Sequence, residues 1–561
     1  MLEDFDLNSI QDPQQARECI VRLLNLIENL QADNRELREQ VQRLRDENNR
    51  LKGEPGRPTI KPNQRRSTSA NHSSERERHQ PKTWRKRRKK DRLKIDQVQT
   101  LAVEPTQLPA DAEFKGYEEV VVQDIAIQTH NILFRKEKYY SPSASQTYLA
   151  ELPRGYEGQF GPGIKALVIV LYFGGNMTEP KILAFCHEMG LQISAGQLSN
   201  FLIKNQAVFH AEKDAVYEAG LRSSPWQHID DTGMRVNGHN QHCQIVCNPL
   251  YTAYFTTAKK NRLTVIDVLR NSDERLFRLN EEAVTLLDAL RLPAKVVRQL
   301  ALCPQDRELR EKEFHHLLAE HLPNLGPLQR NRVLDAAAVA AYHAQLEFPI
   351  VRLVVCDDAP QFKLVTEELA LCWVHDGRHY KKLEPCIAHH RKLLNDFRER
   401  YWAFYDQLRA YRAHPTPEDH TRLTAEFDEL FATVTGYEAL DQRIAKTKAK
   451  KRWLLMVLEH PEIPLHNNPA ELGARTRVRK RKVSCGTRTD EGSQAWDTFM
   501  TLAATAQKLG VSFHQYVYDR VSKAYALPGL ADLIAQRAEQ LQLAASWHPP
   551  PRLIPADAIT C

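Results

Sequence analysis

The sequence predicts an α/β core interrupted by long helical insertions, preceded by a coiled-coil helix and a second helical region. Three observations predict it. Short apolar runs of strand length recur in residues 226–257 and again in 351–374. Two long stretches rich in Leu, Ala, Glu and Arg, 272–348 and 380–460, lie between and after those runs and read as helices. Acidic residues directly follow two of the apolar runs, Asp230 and Asp357, and a third, Glu471, stands just before a basic helix.

Length and composition bound the rest. A chain of 561 residues implies several domains, and 42% hydrophobic residues suffice for ordinary cores. The net charge is only +7 but is unevenly placed, with much of the excess in 57–94 and 475–488, which points to a polyanionic partner. The ten cysteines are scattered singly and read as reduced, intracellular thiols. The start, Met-Leu-Glu-Asp-Phe-Asp, has no basic or apolar leader pattern, and the longest apolar run, 166–173, is too short to span a bilayer. A cytoplasmic protein without a membrane partner is expected, nucleoid-associated if it binds DNA.

Residues 14–52 carry a heptad. One seam position reads Ile20, Ile27, Asn34, Val41, Asn48 and the other Leu23, Leu30, Leu37, Leu44, Leu51. This pattern favours a parallel two-stranded coiled coil, with Asn34 and Asn48 fixing register, and hence a homodimer or higher oligomer. The alternative is an amphipathic helix docked on its own domain. Residues 53–95 are rich in Pro, Ser, Arg and Lys and cannot bury a core, so they read as a basic disordered linker. Its densest run, Arg85, Lys86, Arg87, Arg88, Lys89 and Lys90, reads as a DNA-backbone arm, or as a solvated linker that happens to be basic. Residues 96–150 alternate around 118–127 and read as a small β-containing module. Residues 161–215 turn helical. Helices opening near Met177 and at Ser194 or Ala195, separated by a Gly190 turn, make a helix-turn-helix candidate, although such hairpins are common in helical proteins.

Residues 222–525 form the expected catalytic domain. Strands at 226–230, 239–247 and 251–257, a helix at 261–269, strands at 351–357 and 369–374, and the Glu471 helix follow in order. With 272–348 and 380–460 as insertions, the order β-β-β-α-β-(α)-β-α is that of the ribonuclease H-like fold. Residues 526–561 read as a C-terminal tail.

Asp230-Asp231 and Asp357-Asp358 are adjacent pairs, and strand neighbours point to opposite faces, so one of each pair is expected at a shared site. Asp230 and Asp357 are preferred because they directly follow the apolar residues, leaving Asp231 and Asp358 to turns. Glu471 has a second reading, as the third helical residue of a capping box with Asn468 as N-cap and Pro469 behind it. Two carboxylates at strand ends and one on a late helix can hold two divalent metals about 4 Å apart, which clamp a phosphodiester for in-line displacement. Arg475 and Arg479 follow on one helix face, within reach of phosphates. His239, His242, Cys243 and Cys247 lack zinc-site spacing, and no nucleotide-binding glycine loop is present.

The chain resembles the Asp-Asp-Glu transposases of bacterial insertion sequences, specifically the Insertion Sequence 66 family. His228-Ile229-Asp230-Asp231-Thr232 is similar to the family's Asp-Glu-Thr segment. Cys372-Trp373-Val374-His375 with Arg378 resembles its Cys-Trp-x-His-x-x-Arg segment, and Asn467-Asn468-Pro469-Ala470-Glu471 with Arg475 its Asn-Asn-x-x-Glu-x-x-x-Arg segment. Arg481-Lys482, Gly492 and the helix from Ala495 resemble its C-terminal end, so that most of 14–525 is covered. The resemblance implies a ribonuclease H-like domain, a catalytic and metal-binding triad of Asp230, Asp357 and Glu471 with two Mg²⁺ or Mn²⁺ ions, and His375 and Arg378 near the site without an assigned role. Two departures mark a divergent branch. Residues 96–150 contain no Cys, where the family has a cysteine-rich zinc-finger-like segment, and 272–348 lengthens the spacing between the two Asp residues.

The expected function is a transposase that cleaves element ends and transfers the strand into target DNA. DNA contacts are expected from Arg475, Arg479, Arg481 and Lys482 as well as the arm, and element-encoded accessory proteins are possible partners. The alternatives are a domesticated, non-catalytic DNA-binding regulator and a metal-dependent nuclease without strand transfer.

Overall fold

The computed structural model describes residues 12–52, 94–104, 109, 112–125 and 127–547. The basic run 85–90 lies outside them. The chain is a mixed α/β protein built on one central sheet. Nine strands are present among the described residues: β1 (Lys138–Ser141), β2 (Gln146–Leu149), β3 (Trp226–Val236), β4 (His239–Cys247), β5 (Thr252–Thr257), β6 (Leu276–Arg278), β7 (Glu308–Arg310), β8 (Leu353–Cys356) and β9 (Glu368–Leu371). The central sheet has the order β5-β4-β3-β8-β9. β3, β4 and β5 form an antiparallel meander, and β8 and β9 add to it in parallel. β8 reads Leu-Val-Val-Cys and is buried throughout, as a parallel strand covered on both faces should be.

Helices cover both faces of the sheet. On one, Gln227 donates to the carbonyls of Gly220 and Ser224, at the end of the helix Ala207–Arg222. On the other, His228 bonds to Asn467, which precedes the helix Asn468–Ser484. The edge strand β5 is sealed by side chains rather than by another strand. The backbone N–H groups of Thr252, Tyr254 and Thr256 donate to Thr505 Oγ1, Thr501 Oγ1 and Asp497 Oδ2. These three acceptors stand four residues apart on the helix Asp490–Lys508, so one helix face satisfies an edge that would otherwise template association.

The structure moves several sequence-derived boundaries. β3 continues to Val236, so Asp230 lies inside the strand, two residues past the stretch that pairs with β8. The strand expected at 369–374 stops at Leu371, and Trp373–Lys381 is a helix. The alternating stretch 118–125 forms no strand; its apolar residues Val120, Val122 and Ile125 are exposed, with no partner surface to pleat against. The hairpin β1–β2 is the β structure of that module. The first insertion carries the small pair β6–β7 besides its helices. The expected C-terminal tail packs on the core as far as residue 547: the helix Leu530–Leu541 buries Leu530 and Ile534, and Leu543 O accepts from Trp226 Nε1 at 2.8 Å.

The N-terminal helix Pro13–Leu51 lies against its own chain through polar residues. Glu28, only 6% exposed, accepts from the backbone N–H groups of Cys386 and Ile387 and pairs with His390 at 3.1 Å. It thereby serves the free N–H groups at the start of the helix Ala388–Ala413. Asn25 exchanges bonds with Gly436 O and Glu438 N, and Arg35 pairs with Glu384. Most of the heptad seam faces away: Ile20, Ile27, Leu30, Leu37, Val41, Leu44 and Leu51 are exposed, whereas Leu23 is half-buried.

Residues 161–222 form successive helices, including the hairpin Glu179–Glu188 and Ala195–Ile203. Gly190 in its turn has φ +80°, a left-handed conformation that glycine adopts without strain, and Ser194 Oγ caps the second helix at Gln197 N. A one-turn π-helix, Val170–Gly174, meets the core at Lys480. The Lys480 ammonium lies 3.2 Å from the Tyr172 ring centre and 5.5 Å from that of Trp496, and it donates to Tyr172 O. No carboxylate pairs with it among the described residues, and burial pushes its pKa down to about 7. Between about pH 7 and 10.5 the unfolded chain holds this proton more tightly than the folded one, so raising pH removes a cost to folding. Lys480→Met is therefore expected to be more stable than the parent at pH 6, with the gap narrowing by pH 9.5. Urea unfolding at the two pH values checks this; parallel curves for the two proteins would count against it.

Candidate active site

Asp230 and Asp357 come from adjacent parallel strands. β3 and β8 pair at Trp226/Leu353, Gln227/Val354 and His228/Val355, and each Asp stands two residues past the last pair, in the same register. Neighbouring strands lie about 5 Å apart, so the two carboxylates arise side by side. Asp230 shares its strand face with His228, the face that meets Asn467 and the helix after it.

The other member of each acidic pair is engaged elsewhere. Asp231 contacts Lys260 at 3.3 Å and Gln361 Nε2 at 2.8 Å. Asp358 contacts Lys363 at 2.9 Å and Lys450 at 2.5 Å. Burial works against ionisation of Asp358, but the two ammonium groups hold its carboxyl below the usual range. Asp230 and Asp357 have no such cation among the described residues. Asp357 Oδ1 accepts from Ala359 N at 3.0 Å, and Asp230 Oδ1 from Asp231 N at 2.8 Å. Burial, together with the charges of Asp357, Asp231 and Glu471, pushes the pKa of Asp230 up to about 7.

Glu471 is aimed by Asn467. The Asn467 side chain is fully buried: Nδ2 donates to Ile229 O at 2.7 Å and Oδ1 accepts from His228 Nδ1 at 2.9 Å. Burial pushes His228 down to about 3, so its ring is neutral and carries its proton on Nδ1 for this bond. The Asn467 N–H reaches Cys372 Sγ at 3.2 Å. The capping box expected from sequence, with Asn468 as N-cap, is absent because the helix starts one residue earlier, and the side chain of the actual N-cap, Asn467, is committed to β3. The helix begins at Asn468 with Asn467 as N-cap and no side-chain cap bond, and Glu471 N donates to Asn467 O at 3.1 Å. Two residues on, Gly473 lets the helix lie close on the sheet: a Cβ there would stand 2.9 Å from Ile245 Cγ2.

Around Glu471 the helix Trp373–Lys381 supplies two more groups. Arg378 Nη2 donates to Glu471 Oε2 at 3.0 Å, and Arg378 Nη1 lies 3.0 Å from His375 Nε2. His375 Nδ1 faces Glu471 Oε1 at 3.4 Å, and neither buried atom has a hydrogen-bond partner. Burial lowers the His375 pKa against the pull of Glu471. One ligand atom each from Cys372, His375 and Glu471 fit within 4.8 Å of one another.

An open cavity of about 460 Å³ lies in front of these groups, lined by Asp230, Asp231, Thr232, His375, Arg378 and Glu471 together with the basic residues Arg475, Arg479 and Lys482. Asp357 is not among the residues that line it. Arg481 differs from its neighbours: it donates to Gly233 O on β3. The residues that sequence reading missed are structural. Arg477, 1% exposed, bonds to Asp497 Oδ1 and Thr256 Oγ1, both at 2.7 Å, and ties the Glu471 helix to β5 and the helix Asp490–Lys508. Helical period separates this buried face, Gly473, Arg477 and Lys480, from the cavity face of Arg475, Arg479 and Lys482.

Residues 350–495 match the model of the Transposase IS66 family. That span includes Asp357, His375, Arg378 and Glu471, and Asp230 precedes it. The chain is also 35% identical over 324 residues to an uncharacterized protein, y4jO, of Sinorhizobium fredii (strain NBRC 101917 / NGR234), an alignment covering 57% of this chain and 99% of that one. The chain belongs to one family with that relative and carries an IS66-type transposase domain at 350–495. No helix among the described residues is long and apolar enough to cross a membrane.

The raised pKa of Asp230 has a stability consequence. Its folded value lies above the unfolded one, so the folded state is favoured at low pH and that contribution is lost as pH rises through about 7. Asp230→Asn is expected to stabilise the metal-free protein at pH 8, by on the order of 2 kcal/mol, and to leave it unchanged near pH 4. Thermal unfolding in chelator at both pH values checks this. A variant less stable than the parent at pH 8 would show that the carboxylate is held by favourable contacts instead.

Proposed function

We propose that the chain is a DNA transposase of a bacterial insertion sequence, with Asp230, Asp357 and Glu471 as its catalytic carboxylates. The observation that carries the reading is a cluster of acidic side chains, two of them without a counter-cation, beside a cavity walled by arginines and a lysine, within a chain whose later part matches a transposase family. The sheet order, three antiparallel strands followed by two parallel ones, supports a ribonuclease H-like core.

The donor set fits hard divalent cations. Asp230 resists ionisation among its neighbours, and Glu471 Oε1 is buried without a partner, so a cation would satisfy both. Asp230, Asp357 and Glu471 would hold two Mg²⁺ or Mn²⁺ ions, which, when bound, polarise the scissile phosphate and activate the attacking oxygen. The chain's own residues do the positioning. Arg475, Arg479 and Lys482 present donors to the DNA backbone across the cavity, and the Asn467 clamp fixes the angle at which Glu471 meets it. Lys260 and Gln361 hold Asp231 aside from Asp230, as Lys363 and Lys450 hold Asp358 aside from Asp357. The attack of water on the element end, and then of the freed 3′-hydroxyl on target DNA, are both in-line displacements at this one place.

Other parts of the chain fit the same reading. The hairpin within residues 177–202 would read the element end, and the run 85–90 would attract any DNA through counterion release. The exposed heptad seam would pair two copies, since the contacts of Asn25, Glu28 and Arg35 leave it open.

On DNA bearing the repeats that flank the gene, Asp230→Asn, Asp357→Asn and Glu471→Gln should each lower cleavage by at least about a hundredfold while leaving DNA binding within about twofold. Asp231→Asn and Asp358→Asn should be milder. Full cleavage by any of the first three would remove that residue from the site. Joining of the cleaved end to a second duplex separates a transposase from a nuclease that only cuts.

A further inference from the structure

The geometry points to Arg378 as a built-in counter-ion of Glu471 that must leave when a divalent cation arrives, an inference that rests on the metal-site reading above. Among the described residues Arg378 is the cation nearest Glu471. Its Nη2 stands 3.0 Å from Oε2, whereas Arg475 is 3.7 Å away. Guanidinium and metal compete for the same carboxylate, so while Arg378 holds Oε2 the site is already partly neutralised.

The contact is built to be exchanged. The Arg378 side chain is 42% exposed, whereas that of Glu471 is 10% exposed, so the arginine is the mobile partner. Its fork is steadied by His375 Nε2 at 3.0 Å, which must accept and so places the ring proton on Nδ1. Nδ1 stands 3.4 Å from Glu471 Oε1, too far for a good bond, and Oε1 remains without a hydrogen-bond partner among the described residues. Arg378 therefore satisfies one oxygen of Glu471 and leaves the inner one for something else. Once displaced, the guanidinium lies on the wall of the cavity shared with Arg475, Arg479 and Lys482, where a phosphate oxygen can take the place of the carboxylate. Arg378 is thus a positioning residue that couples metal loading to DNA contact.

The test measures Mn²⁺ binding to the full chain without DNA, by calorimetry and by the electron paramagnetic resonance signal of free Mn²⁺. Arg378→Met is expected to bind Mn²⁺ about tenfold more tightly than the parent, because a competitor is removed, and to cleave DNA more slowly. Arg378→Lys, which keeps the charge without the fork, is expected to fall between the two. The metal-free Arg378→Met protein should melt lower than the parent and gain more from added Mn²⁺, an opposite pair of shifts that a general packing defect would not produce. Unchanged or weaker Mn²⁺ binding in Arg378→Met, with parent binding that Glu471→Gln abolishes, overturns the inference and leaves the metal site standing. Parent binding that is absent, or indifferent to Glu471→Gln, overturns the metal-site reading and this inference with it.

Discussion

Asn467 holds three parts of the molecule with one buried residue. Its side-chain amide bonds to the Ile229 carbonyl and to His228, its N–H to Cys372, and its own carbonyl to the N–H of Glu471. The residues joined in this way stand on the strand that carries Asp230, before the helix that carries His375 and Arg378, and at the start of the helix that carries Glu471. Buried amides left without partners cost about 1–3 kcal/mol each, so alternative arrangements of these three parts are strongly disfavoured. Register in the sheet depends on β3 and β8, but the meeting of the third acid with the first two depends on this residue.

The surroundings of the clamp carry a concentration of charge that does not serve stability. Asp230 is hard to ionise where it stands, Glu471 keeps an oxygen unpartnered among the described residues, and, further along the same helix, Lys480 is buried against aromatic rings with a depressed pKa. Arg477 is different: its buried pair with Asp497 is completed by Thr256, and it locks the Glu471 helix to the edge of the sheet. Rigid fixing on one side of the helix and unsatisfied carboxylate on the other is the arrangement expected where a fold gives up stability for a site.

Part of this was legible in the sequence. Asp230 and Asp357 stood out because each directly follows an apolar strand run, and strand alternation separates them from Asp231 and Asp358. The first residues of the helix bearing His375 and Arg378, Trp373 and Val374, read as strand from sequence, because apolar residues continue through Val374 while the strand ends at Leu371. Composition cannot separate the last strand residue from the first turn of a buried helix. The heptad in 14–52 was visible, yet the contacts that dock this helix come from Asn25, Glu28 and Arg35, polar positions that a seam analysis discards. Arg477 and Lys480 were hidden for a similar reason. In Arg475-Thr476-Arg477-Val478-Arg479-Lys480-Arg481-Lys482 every basic residue looks like a surface contact until the sheet defines which face is buried.

The central claim is that Asp230, Asp357 and Glu471 together hold the metal ions that serve strand cleavage. Anomalous diffraction from a crystal of the full chain soaked in Mn²⁺ tests it most directly. The account predicts two peaks about 4 Å apart, bounded by Asp230, Asp357 and Glu471, with the Arg378 guanidinium moved off Glu471. Manganese bound instead at Asp231 or Asp358, or absent from this cavity while present elsewhere on the chain, would contradict it.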